Sequence, residues 1–297
     1  MLNRSTAIIS KNAHPFALAA TLAMLLSLCP GPARSQEKEP LKLGIHPYLS
    51  TSELIKRYTP LAEYLGRQLG RPVLLEIGSS YDTHIHKIAN GLTDIAFMGP
   101  SSYVKLTSQY GKRPLLAAFK TKEGKFFHGR IMVRKDSPIT SLAQLKGKRF
   151  VFGDRASTLS HIVPRHMLLK AGIDVKQFSQ VSYVANHDNI ALGILAGTFD
   201  AGAVKEEVFL QYQPQGLRSL ARSAPITDHV FIARTGLPQS TIEALKKAFL
   251  QLSDSTDGRK IISGMRIDVI ALVPADDRDF DALRVIMNEL KQAGVEL

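Results

Sequence analysis

Three hydroxyls stand where a helix should begin. In the stretch VFGDRASTLSHIVPRHMLLKAGI, from Val151 to Ile173, a short apolar strand runs into Gly153-Asp154. Ser157, Thr158 and Ser160 then precede an apolar run at helical spacing. Two chemistries suit that pattern. Ser and Thr oxygens accept hydrogen bonds from the orphan N–H groups of a first helical turn. The same N–H groups, with several hydroxyls beside them, also make a pocket for an anion. Pro164 adds a constraint. In a helix starting at Thr158 it frees the carbonyl of Ser160 and should kink the helix.

Other chemistries have less support. Ser157, His187 and Asp228 can be drawn as a hydrolase triad, but the chain has no G-x-S-x-G elbow. No H-E-x-x-H spacing occurs, and His84 and His86, two apart, are expected to flank a helix start. No cofactor and no metal is implied. The chain of 297 residues carries a net charge of +12. That balance suits an anionic ligand, and it equally suits weak contact with membrane or nucleic acid; the basic residues are scattered, with no nucleic-acid motif among them.

The first 35 residues read as a secretory signal peptide: Arg4 and Lys11, an apolar run from Phe16 to Leu28, then Ala33-Arg34-Ser35. Cleavage is expected after Ser35. That removes three basic residues and no acid, lowering +12 to +9. The rival is lipoprotein processing at Cys29, against which the bulky Leu28 argues. Cys29 is the single cysteine, so the exported chain is expected to rely on an ordinary core and to be soluble and monomeric.

Elements that could position the hydroxyls follow from Leu41 onward. LKLGI reads as a strand leading to a His46-Pro47-Tyr48 loop. Thr59 reads as an N-cap with Pro60 at the first helical position; Leu61, Leu65 and Leu69 share a face, and Gly70 ends the helix. PVLLEI, DIAFM, RFVF, QVSYV and FDAGAV read as strands between amphipathic segments. Asp188 is a plausible N-cap before NIALGILAG, and Asp94 and Asp200 stand at strand entries with structural roles. GRIMVR and HVFIAR read as strands connecting two units, so a hinged cleft is expected, with ligands outside the carboxyl ends of strands.

In this order GLTDIAFMGPSSYV, VRKDSPITSLAQLKGKRFVFGDRASTLSHIVP, NHDNIALGILAGTFDAGAV and YTPLAEYLGRQLG resemble the periplasmic phosphonate, phosphite and phosphate binding proteins of ABC transporters, the PhnD-type family. The resemblance implies an α/β, two-lobed clamshell of the type II periplasmic-binding-protein class with two hinge strands. It divides the chain into a signal peptide (1–35), a first lobe (36–133), a second lobe (134–228), and a hinge return with the rest of the first lobe (229–297). It implies a small phosphorus oxyanion as ligand, an ABC permease as partner and a periplasmic location. A clamshell that feeds a membrane sensor instead is the alternative.

The resemblance also assigns residues. Ser157 and Thr158 match the first two residues of an anion-holding turn; Leu159 stands where a third hydroxyl is usual, and Ser160 where glycine is usual. Tyr81 and His187 match an anion-contacting tyrosine and histidine. Glu207 and Asp228 fall where relatives that take aminoalkyl phosphonates place acids around the ammonium. Phe127 replaces a tyrosine before the first connecting strand. Tyr48, after the first strand, is a further candidate for lining the cleft.

Overall fold

The structure, a computed structural model, describes residues 39–296. The expected signal peptide, its cleavage after Ser35 and the alternative at Cys29 lie outside these residues. Among the described residues no helix is long and apolar enough to cross a membrane.

The first half alternates strand and helix: β1 (Leu41–Ile45), α1 (Thr51–Leu69), β2 (Val73–Ile77), α2 (Tyr81–Ala89), β3 (Ile95–Met98), α3 (Pro100–Tyr110) and β4 (Leu115–Thr121). Every residue of β3 is buried, as expected of a strand covered on both faces. The α1 helix starts well before the expected Thr59-Pro60. Ser50 is its N-cap, accepting from the Glu53 N–H at 3.4 Å, and Pro60 lies inside the helix. Pro60 frees one carbonyl, but Leu54, Tyr58, Leu61, Ala62 and Leu65 form an unbroken buried face across it. Packing on that face outweighs the lost bond. Gly70, with φ 57°, closes the helix as expected.

The chain then passes through β5 (Phe126–Phe127) into β6 (Gly129–Arg134), β7 (Arg149–Phe152), α4 (Val163–Lys170), β8 (Gln180–Tyr183), α5 (His187–Leu195), β9 (Ala201–Lys205), α6 (Glu206–Tyr212) and β10 (Leu217–Arg222). It returns through β11 (Ile226–Thr227) to β12 (Val230–Ala233), α7 (Gln239–Leu250), α8 (Thr256–Met265), β13 (Val269–Val273) and α9 (Asp281–Gln292). One sheet has the order β13-β4-β12-β3-β1-β2, the other β10-β6-β9-β7-β8, and β5 pairs with β11 between them. The segments Gly129–Arg134 and Val230–Ala233, expected as strands connecting the two units, are each hydrogen-bonded into a sheet. The crossing itself is the short antiparallel pair β5/β11. One hydrophobic core runs from the first sheet through Phe127 and Leu159 onto one face of the second, and a smaller core fills the second sheet's other face.

Asp94 and Asp200 use one device in the two sheets. Asp94 accepts from the backbone N–H of Lys42 (2.9 Å) and from Arg234 (2.7 Å). Asp200 accepts from the backbone N–H of Arg149 (2.8 Å) and from its guanidinium (2.7 Å). Each carboxylate pins the start of a neighbouring strand. The last helix, α9, packs against both α3 and α4; Glu289 pairs with His166 (2.8 Å) and Lys170 (2.7 Å). The turn before α9 is tied to the crossing as well, with Thr227 donating to the Asp279 carbonyl and Lys125 pairing with the Asp279 carboxylate.

Candidate functional site

Four strand ends converge on one small cavity. His46 and Tyr48 follow β1, Gly99 follows β3, the Ser157–Thr158–Leu159 turn follows β7, and Lys205 ends β9. The carboxyl ends of parallel strands are where such sheets open a crevice. Tyr81 and His187 are the first residues of α2 and α5, whose N-caps are Ser80 and Asn186. Asn186 accepts from the Asn189 N–H at 2.9 Å, so the cap lies two residues before the expected Asp188. Phe127 and His229 complete the wall from the crossing side. The enclosed volume is about 10 Å³, on the scale of one water-sized sphere at about 10–15 Å³.

The hydroxyl turn forms because Pro164 disrupts a regular helix there. Thr158–Ile162 widen into a π-helical turn, with the Ile162 N–H donating to the Ser157 carbonyl at 3.0 Å. Pro164 then falls in the first turn of α4, where a missing N–H costs little. The Ser160 carbonyl that it frees accepts from the Gly153 N–H at 3.0 Å. The expected kink is thus absorbed as a π-turn, a device that recurs at functional sites.

Within that turn the hydroxyls are already linked. Ser160 Oγ donates to Ser157 Oγ at 2.7 Å, and the Ser160 N–H donates to the same oxygen at 3.4 Å. Ser157 therefore caps, as the plainer of the two opening chemistries requires, while also lining the cavity beside Tyr81. Ser101 Oγ donates its single proton to the Ala156 carbonyl at 2.6 Å. In the 2.8 Å contact between Ser101 and Thr158, the donor must then be Thr158. That bond joins the two sheets' halves across the cavity.

Hydrogen bonds also fix the imidazoles. The Lys205 N–H donates to His187 Nδ1 at 3.1 Å, so the His187 proton is on Nε2. His46 Nδ1 donates to the Phe97 carbonyl (3.0 Å), and His229 Nδ1 donates to Asp228 (2.9 Å). The Nε2 atoms of His46 and His229 are therefore acceptors when neutral. An ideal Cβ placed on Gly99 would lie 3.7 Å from His46 Nε2, 3.8 Å from Thr158 Oγ1 and 3.9 Å from His229 Nε2. Three polar atoms from distant parts of the chain thus face one point before the N-terminus of α3.

Burial, with help from Lys205 and His229, pushes His187 down to about 3. His46 and His229 are also lowered by burial, and Asp228 opposes the shift in His229. Lys205 supplies a cation, with its Nζ 2.5 Å from Glu207 and 4.1 Å from the centroid of the Tyr48 ring. His187 Nε2–H and the Lys205 ammonium as donors, combined with two imidazole acceptors, suit an oxyanion that keeps a proton of its own.

Residues 43–280 match the family model described as ABC transporter, phosphonate, periplasmic substrate-binding protein. The chain belongs to that family. It is 27% identical over 296 residues to the phosphate-import protein PhnD of Mycolicibacterium smegmatis, covering 90% of this chain and 92% of that one. It is 24% identical over 257 residues to the phosphonates-binding periplasmic protein of Escherichia coli, covering 82% and 76%. The PhnD1 structure of Prochlorococcus marinus in complex with methylphosphonate superposes with a TM-score of 0.78 at 22% identity, covering 85% and 98%. The fold is thus the expected α/β type II periplasmic-binding-protein architecture.

In this family member, Tyr81, Ser157, Thr158 and His187 all line the small cavity. Ser160 is buried behind the turn and does not line it. Glu207 lines a larger cleft instead, held by Lys205 and by Arg57 at 2.6 Å. Burial alone would raise its pKa, but Lys205 and Arg57 hold it down at about 2. Asp228 is fully buried and lines neither space; Arg266 grips it through both guanidinium nitrogens. Both acids are already paired with cations of this chain, Glu207 with Lys205 and Arg57 and Asp228 with Arg266. His46, Gly99, Lys205 and His229 were not singled out in the sequence, although three of them flank strands whose carboxyl ends make the crevice.

Gly99 gives a direct test. Its φ of −66° and ψ of 149° suit any residue, and an added methyl would meet no atom closer than 3.7 Å. Gly99→Ala should therefore fold at least as stably as the parent, with a gain of about 0.4–1 kcal/mol. The methyl would fill the point on which the polar atoms converge, so calorimetry should show ligand affinity lowered at least tenfold. Unchanged affinity would move the site away from Gly99.

Proposed function

We propose that the chain captures a small phosphorus oxyanion (phosphonate, phosphite or phosphate) in the cavity before Gly99 and presents it to an ABC permease in the inner membrane. The observation carrying this reading is that His187, with its proton on Nε2, and the buried Lys205 ammonium line the same small cavity. There the Nε2 atoms of His46 and His229 can accept from a proton the anion keeps. In this reading the second lobe begins at Gly129, where β6 joins the second sheet, rather than at the expected 134, and runs to 228. The rest of the exported chain forms the first lobe, and the protein acts in the periplasm as a monomer. The hydrogen bonds favour binding over hydrolysis. His187 Nδ1 takes a backbone N–H where a triad would need a carboxylate, and Asp228 orients His229 instead.

A thermal-shift panel of phosphite, phosphate, methylphosphonate and 2-aminoethylphosphonate, with sulfate and chloride as controls, tests the reading. A ligand at 100 times its Kd stabilises by about 2.7 kcal/mol, which for a chain of this size is roughly 5–10 °C. At least one phosphorus anion should produce that shift. No shift with any of them would overturn the ligand class.

A further inference from the structure

Two side chains are shared by the small cavity and a much larger cleft of about 1070 Å³: Phe127 and Lys205. The cleft lies on the far side of them, with Leu210, Ile267 and Ile270 exposed along it. Both partition side chains are buried, Lys205 at 3% exposure and Phe127 at 8%. We propose that Lys205, with Phe127 beside it, sets the ligand class by closing the anion cavity against this cleft. The site then takes unsubstituted or one-carbon phosphorus oxyanions and rejects aminoalkyl phosphonates. This rests on the functional reading above and adds a selectivity that it leaves open.

Two physical effects support the partition. The first is space. Lys205 and Phe127 are the side chains that line both spaces, so a chain attached to a headgroup in the small cavity can enter the cleft only past them. The second is charge. A ligand ammonium leaving by that route would meet the Glu207 carboxylate, which already holds Lys205 at 2.5 Å and Arg57 at 2.6 Å. Asp228, the next carboxylate inward, is taken by Arg266 and His229. Lys205 thus occupies from within the place that a cationic tail would take. A third cation would be brought beside two others without a free carboxylate to offset its desolvation.

The test is calorimetry on the full exported chain and two variants, with phosphite, methylphosphonate, propylphosphonate and 2-aminoethylphosphonate. The parent should bind phosphite or methylphosphonate at least 100-fold tighter than 2-aminoethylphosphonate. In Lys205→Ala the route opens and Glu207 keeps only Arg57, so that ratio should fall at least tenfold, even though small anions also bind more weakly. Phe127→Ala opens the route without changing charge. It should raise relative affinity for propylphosphonate and leave 2-aminoethylphosphonate excluded, and it serves as the test if Lys205→Ala does not fold. Parent protein that binds 2-aminoethylphosphonate as tightly as methylphosphonate would overturn the partition and leave the functional reading standing. So would ratios unchanged in the folded variants. No heat with any of the four compounds or with phosphate would overturn the functional reading, and the partition with it.

Discussion

Arg266→Met should destabilise the protein by about 3–5 kcal/mol, the usual cost of removing one partner of a buried ion pair. Asp228 and Arg266 have side-chain exposures of 0% and 4%. The Asp228 carboxylate also accepts from the backbone N–H of His229 at 2.7 Å and from its Nδ1 at 2.9 Å. Without Arg266 a charged carboxylate stays buried against a neutral imidazole, and it must either take up a proton or draw in water. Adding Asp228→Asn should recover much of the loss, because the uncompensated charge is then gone. Equilibrium urea unfolding of the parent, both single variants and the double variant measures this directly. A loss below about 1 kcal/mol in Arg266→Met would mean that the pair contributes no more than a surface bridge.

Acidification should destabilise this protein earlier than it does most, starting near pH 6.5. Burial lowers His84 and His161 to about 4 and His187 to about 3 from the ordinary imidazole value of 6.5. For these groups the unfolded chain binds the proton and the folded chain does not. Their contribution is complete above pH 6.5 and is lost as pH falls toward the folded values. Each removes on the order of 1.4 kcal/mol per pH unit in that window. By pH 5 the three together cost on the order of 5 kcal/mol. The carboxylates cannot explain an early loss. Glu207, held down at about 2, keeps its contribution until pH falls below its unfolded value of 4.5. Urea midpoints at several pH values between 7.5 and 4.5, with histidine ring signals followed by NMR, test the expectation. A flat stability between pH 7 and 5 would show that these imidazoles protonate without unfolding the chain.

Local patterns carried much of the architecture. Alternating strand and helix signals gave the βα order, because LKLGI, DIAFM and RFVF are apolar runs bounded by turn residues. Capping was less legible. Ser50 and Thr59 are both acceptable caps, and only the buried face through Leu54 and Tyr58 decides between them. The edge strand β13 was missed since Ile270 faces solvent and the segment lacks a clear turn before it. The hydroxyl turn stood out because its residues are adjacent in sequence. Lys205 and His229 did not, since each gains meaning only from partners elsewhere. The same holds for Glu207 and Asp228. The family resemblance suggested cation binding for them, yet Arg57 lies 150 residues from Glu207 and Arg266 lies 38 from Asp228. No spacing rule reads an ion pair that the tertiary fold supplies.

The crossing between the sheets, the β5/β11 pair, is fastened to the turn at Asp279 through Thr227 and Lys125. The helix that follows leans on α4 through Glu289. Two separated points of attachment define a line. A body held at two points can swing about the line joining them but cannot slide or twist freely. The sheets should therefore part like a door on two pins, with the mouth gaping at Ser101 and Thr158, whose paired hydrogen bonds (Ser101 N–H to Thr158 Oγ1 at 3.0 Å, Thr158 Oγ1–H to Ser101 Oγ at 2.8 Å) are the latch. Such a joint gives the same opening path on every cycle. A docking partner that pushed on either leaf would release the contents in one direction.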